Sequence, residues 1–141
     1  MTYNEKLAYL RSYRQQEHHI DTLLAEAERW RSRAKAMTAH YGVTGGKGGF
    51  TGFPWAVEKM LELEGQIEQE IDAIMTQRQI IGLAIQSLRD QRYQDVLSLH
   101  YQAGLSIQKV AAHLHYEEKY VYKLRRKAIK ALPLERFLHA E

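Results

Sequence analysis

The 141-residue chain has no cysteine, which excludes disulfide cross-links and every metal site built on thiolates, and fits a reducing compartment. It has no apolar run approaching the length of a membrane span, and its opening stretch, MTYNEKLAYLRSYRQQEHH, has no apolar core of signal-peptide length. A cytoplasmic protein with no membrane partner is therefore expected. A large net charge is also missing: 20 Lys/Arg against 17 Asp/Glu leave +3, with a pI near 9.1. That balance is too mild by itself to argue for nucleic acid. With 45% apolar residues the composition is neither disordered nor fibrous. The length suits one domain, or a small domain with an extended appendage.

The charge that is present is unevenly spread. Residues 54–89 carry twice as many acids as bases, whereas residues 90–141 are basic. Six cations (Lys119, Lys123, Arg125, Arg126, Lys127 and Lys130) stand with no acid among them.

From Thr2 to about Tyr41 there is neither Gly nor Pro, and Thr2 with Glu5 forms a capping-box pattern. Alternating 3–4 steps run through Leu10, Tyr13, Glu17, Ile20, Leu24, Ala27, Arg31, Ala34 and Thr38. A second series follows Pro54, a favourable first-turn residue: Val57, Met60, Glu64, Ile67, Ile71, Ile74, Arg78, Ile81, Ile85 and Leu88. Such steps sustained over four heptads predict two long coiled-coil helices. If these fold back antiparallel, one register pairs Arg31 with Glu64 and Glu17 with Arg78, and brings Leu24 near Ile71. The charged residues then either form polar layers that set the register, or edge the seam and reach water.

Between the two helices, GVTGGKGGFTGF (42–53) holds six of the nine glycines. It is not a P-loop, because Gly46-Lys47 is followed by Gly48 rather than Ser/Thr and the segment follows a helix rather than a strand. It reads as a chain reversal, with Tyr41, Phe50, Phe53 and Trp55 sealing the tip or presenting it to a partner protein.

Beyond Leu88 the pattern changes. Asp90 caps a helix over Gln91–Tyr101, whose buried face is Tyr93, Val96, Leu97 and His100 or Tyr101. Gly104 ends it, Ser106 caps Ile107–Leu114, and a turn at His115-Tyr116 leads to Glu117–Leu132, stopped by Pro133. A helix-turn-helix needs a small residue where its helices cross, a residue tolerating left-handed geometry in the turn, and an aliphatic lock in the second helix. Ala111, His115 and Val121 occupy these places. With Val121, Leu124 and Ala128 inward, a step of about 100° per residue puts Lys119, Lys123, Arg126 and Lys130 outward, flanked by Tyr122. Arg125 and Lys127 lie to either side, suited to phosphates, as is Lys109 beside the free N–H groups after Ser106. Glu118, like Glu117, suits the positive end of the helix dipole, and can also accept from a cytosine amine. A solvated helix surface also gives a lysine-rich face; the pattern of Ala111, His115 and Val121 is what favours DNA.

VLSLHYQAGLSIQKVAAHLHYEEKYVYKLRRKAIKAL (96–132) resembles region four of the sigma-seventy family of transcription initiation factors. The resemblance rests on an aliphatic–x–Leu–x–Tyr helix, Gly-Leu-Ser, a Val-Ala step, Val at the lock position, and Lys-Ala-Ile near the end. The whole chain is similar to bacteriophage and prophage proteins of Gram-positive bacteria that join such a module to a long coiled coil interrupted by a Gly-rich loop. The resemblance implies promoter-type duplex DNA binding in transcription control. His115 departs from the usual Gly and Glu117 from the usual Ser cap, and nothing resembles the region that melts promoter DNA.

The expected fold is all-α: a long antiparallel helical hairpin, a coiled coil over residues 1–89 with its tip at 42–53, then a three-helix helix-turn-helix domain over 90–141. The expected function is sequence-specific double-stranded DNA binding in transcription regulation of phage genes. The candidate contacts are Lys109, Glu118, Lys119, Tyr122, Lys123, Arg125, Arg126, Lys127 and Lys130. The alternatives are a protein-interaction module docking RNA polymerase, or a DNA-packaging recognition subunit; the coiled coil also allows homo-oligomers. No enzyme activity, cofactor or metal is expected: His113-x-His115 lacks a third ligand and competes with the turn, and His18 and His19 point to different faces.

Overall fold

A computed structural model describes the backbone of residues 1–44 and 53–138 and the side chains of residues 1–36 and 55–138. The described residues form helices joined by short turns, with no strand among them, in the order α1 (Tyr3–Thr44), α2 (Phe53–Gln86), α3 (Gln91–Leu97, continuing into a π-helical turn at Ser98–Gln102), α4 (Ile107–Leu114), α5 (Glu118–Ala131) and α6 (Leu134–Leu138). None is long and apolar enough to cross a membrane. The glycine-rich stretch 45–52 lies outside the described residues, as do the side chains of Thr38, Tyr41 and Phe53. The contacts divide the chain into two compact units, one of residues 1–16 with 74–138 onward, the other of residues 17–73.

In the second unit α1 and α2 run antiparallel. Leu23, Ala27, Leu63 and Ile67 form its core, with Trp30 and Ile71 packed against them. Two expected seam positions shift by one residue. Leu24 is 47% exposed while Leu23 is buried, and Leu63, not Glu64, points inward. A seven-residue repeat can be divided 3+4 or 4+3, and the division that buries Leu63 leaves the carboxylate of Glu64 in water. Leu23 and Leu63 share one cluster, so the two shifts go together. Arg31 does pair with Glu64, at 2.7 Å, and also with Glu28. The Arg31 and Glu64 side chains remain 42% and 38% exposed, so the pair edges the seam rather than forming a buried polar layer. Trp55 is exposed, its ring edge-on to Trp30 at 5.0 Å.

In the first unit the base of the hairpin is packed with the C-terminal helices. Leu10, Tyr13, Ile81 and Ile85 are buried, and Arg78 donates to the Tyr13 hydroxyl at 3.2 Å. The capping box is made in both directions, Glu5 N–H to Thr2 Oγ1 and Thr2 N–H to Glu5 Oε2. The start of α1 also serves the end of α5: Lys6 is 7% exposed and its ammonium donates to the Lys130 carbonyl at 3.0 Å. A cation placed there complements the negative end of that helix. Asp90 caps α3 by accepting from the Arg92 N–H. The Arg92 side chain folds back on Asp90, holding that carboxyl below its usual range, and donates to the Tyr120 hydroxyl of α5 at 2.7 Å.

The π turn departs from the regular helix expected through Tyr101. Ala103 N–H reaches the Ser98 carbonyl and Leu105 N–H that of Leu99. The extra residue in that turn lets His100 and Tyr101 both face inward, at 5% and 1% exposure. Gly104, at φ +76°, then reverses the chain.

Candidate nucleic-acid interface

The helix pair α4–α5 is built from short-range rules. Ser106 Oγ accepts the Lys109 N–H at 3.2 Å and starts α4. His115 sits at φ 60° and ψ 41°, the left-handed position, and ends it. Its N–H meets the Ala112 carbonyl, and the Tyr116 N–H meets that of Ala111 at 2.9 Å. This is a Schellman closure with His where Gly is usual. Tyr116 then stacks edge-on against Tyr120 at 5.0 Å, fixing the turn to α5. Glu117 is the N-cap of α5, without a side-chain hydrogen bond.

Ala111 and Val121 meet in one core with Val96, Ile107, Val110 and Leu124. Ala128 and Ile129 complete the inward side of α5, both fully buried. The cations divide accordingly. Lys119, Lys123, Arg126, Lys127 and Lys130 are exposed, and Tyr122 is half-exposed beside them. Arg125 is partly buried and its guanidinium lies over the Tyr122 ring at 5.4 Å. Lys109 is exposed in the first turn of α4, and Glu118 in the first turn of α5. Arg126 is not wholly solvated, since its guanidinium lies 5.8 Å from the Tyr3 ring of α1. Lys119, Lys123 and Lys130, all exposed, share the outward row with Arg126.

Behind the face lies His100. Its Nδ1 is 2.7 Å from the Leu105 carbonyl, so the neutral ring donates there. Burial pushes this imidazole down to about 4; the Leu105 hydrogen bond opposes that fall, and the positive charges of Arg14 and Arg125 add to it. His100 is accordingly a neutral donor near pH 7, holding the turn that precedes α4.

Sequence reasoning missed Arg11 and Arg14 of α1. Both line a cleft of about 470 Å³ with Gln108, Glu118, Tyr122 and Arg125. Arg14 reaches the carbonyls of Gly104 and Leu105 at 3.4 and 3.5 Å. The i, i+3 spacing of Arg11 and Arg14 marks a shared helix face, but no local pattern tells which surface, some 90 residues away in sequence, that face meets. Among the described residues no cluster of three His, Asp or Glu side chains is arranged to hold a metal.

Comparison with curated proteins and with solved structures finds no match to this chain. Residues 56–133, from early in α2 to the proline that ends α5, match the model of a family described as "Protein of unknown function (DUF1492)". That span covers more than half of the 141 residues and takes in α3, α4 and α5 entire, and the chain belongs to this family.

Proposed function

We propose that this protein binds double-stranded DNA in a sequence-dependent way and acts, without catalysis, in transcription control. The observation that carries the reading is the sorting of α5. Its apolar residues Val121, Leu124 and Ala128 are buried, while Lys119, Lys123, Arg126 and Lys130 stand exposed on the opposite side of a helix joined to α4 by a tight turn. A helix of this kind fits the major groove, where phosphate contacts supply affinity and side chains on base edges supply specificity. In this reading Lys119, Tyr122, Lys123 and Arg126 meet the groove, with Glu118 accepting from a cytosine amine. Lys109, Arg125, Lys127 and Lys130 meet phosphates. The resemblance of residues 96–132 to sigma region four supports a promoter-type target, and the similarity to phage proteins supports phage genes as its context.

The test is a fluorescence-anisotropy titration of labelled random-sequence duplex with the full chain over a range of salt. Each phosphate contact contributes about 0.9 to the log–log slope, so Lys130→Ala is expected to lower the slope by about that amount and to weaken all sequences alike. After selection of a preferred duplex, Lys123→Ala is expected to relax base preference at one or two positions. A chain with no affinity for duplex at low salt, or variants indistinguishable from the parent, would reject the reading.

A further inference from the structure

The cleft lined by Arg11, Arg14, Gln108 and Arg125 carries more positive charge than its own residues neutralise. Three guanidiniums face one carboxylate, that of Glu118. Two of them are incompletely satisfied: the Nε atoms of Arg14 and Arg125 are fully buried and have no hydrogen-bond partner. Buried N–H groups without partners are uncommon, and each calls for an acceptor. The N–H groups of a guanidinium lie in one plane and match the oxygens of an oxyanion. The cleft also reaches the start of α4. There the Lys109 N–H is taken by Ser106 Oγ and the Val110 N–H by the Ser106 carbonyl, which leaves the N–H groups of Ile107 and Gln108 without intrahelical partners. The cleft, about 470 Å³, is large enough for a tetrahedral group beside the three guanidiniums and the start of α4.

We infer that this cleft binds a phosphate group, with the guanidiniums of Arg11, Arg14 and Arg125 as its cationic donors and the first N–H groups of α4 as further donors. The group is either a backbone phosphodiester of duplex DNA or the phosphate of a small free ligand. The first source rests on the DNA-binding reading; the second does not. In the first case the base of α1 joins the interface and extends it beyond α4 and α5.

Two measurements on the full chain, with Arg11→Gln, Arg14→Gln and Arg14→Lys, separate the sources. The first is thermal unfolding with inorganic phosphate replacing chloride at constant ionic strength. The second is the salt slope for duplex DNA. A small-ligand site predicts that phosphate raises the parental melting temperature, that the rise is lost in Arg14→Gln and reduced in Arg11→Gln, and that the duplex slope is unchanged. A DNA phosphate predicts that each Gln variant lowers the slope by about 0.9. In either case Arg14→Lys, which keeps charge but not the planar guanidinium, recovers only part of the effect. Arg11 is exposed, so its variant reports binding even if Arg14→Gln disturbs the turn it touches. If the parent binds no duplex, the DNA reading fails while the phosphate titration still decides the cleft. If phosphate stabilises parent and variants equally and no slope changes, the inference is wrong.

Discussion

His100 offers the sharpest quantitative test of the first unit, because a buried imidazole held neutral links folding to pH. The perturbation is acidification from pH 7 to pH 4. The imidazole titrates near its ordinary 6.5 in the unfolded chain and near 4 in the folded one. Between those values the unfolded chain binds more protons, so stability rises with pH across the window and falls as the medium is acidified through it. About 2.5 pH units at about 1.4 kcal/mol each give roughly 3 kcal/mol lost by pH 4. Carboxylates such as Asp90 and Glu135, whose values are lowered in the fold, titrate below this window or at its acid end. A variant is therefore needed to isolate the imidazole. His100→Asn keeps an amide donor near the Nδ1 position facing the Leu105 carbonyl but does not titrate. Urea unfolding followed by circular dichroism at half-unit pH steps should show a steeper loss for the parent than for His100→Asn between pH 6.5 and 4.5. Parallel profiles would refute the claim that His100 is buried and neutral.

Three further substitutions test local claims. Arg31→Glu should lower the melting temperature, since it sets like charges against Glu64 and Glu28, and adding Glu64→Arg should recover most of the loss; equal damage from single and double variants would reject the pairing. His115→Gly should stabilise by about 1 kcal/mol, because Gly adopts the left-handed turn without a Cβ penalty, as read by denaturant unfolding. Glu117→Ser should add about 0.5–1 kcal/mol by supplying the absent side-chain cap of α5; no gain would mean that this helix start does not follow ordinary capping.

The features legible in the sequence are those set by neighbours a few residues apart. Thr2 with Glu5, Asp90 and Ser106 announce their helices because a side-chain oxygen meets an orphan N–H within three residues. His115 announces its turn because few other non-glycine side chains tolerate positive φ. The inward stripe of α5 follows from helical period alone. Where two divisions of a repeat compete, the local pattern is silent: Leu23 against Leu24 and Leu63 against Glu64 were settled by packing across the hairpin. The π turn was equally hidden, since His100 and Tyr101 are each plausible inward residues of a regular helix and only the core around them takes both. Arg14 and Lys6 owe their roles to carbonyls about 90 and 124 residues away, beyond the reach of any periodicity.

The central claim is that the exposed row of α5 is what meets DNA, and amide chemical-shift mapping tests it most directly. Adding a selected duplex to the ¹⁵N-labelled full chain should perturb residues 118–130 and 106–109 most strongly, and leave the hairpin residues around Leu61 unmoved. Shifts confined to the hairpin, or none at a duplex concentration that saturates binding in solution, would contradict it.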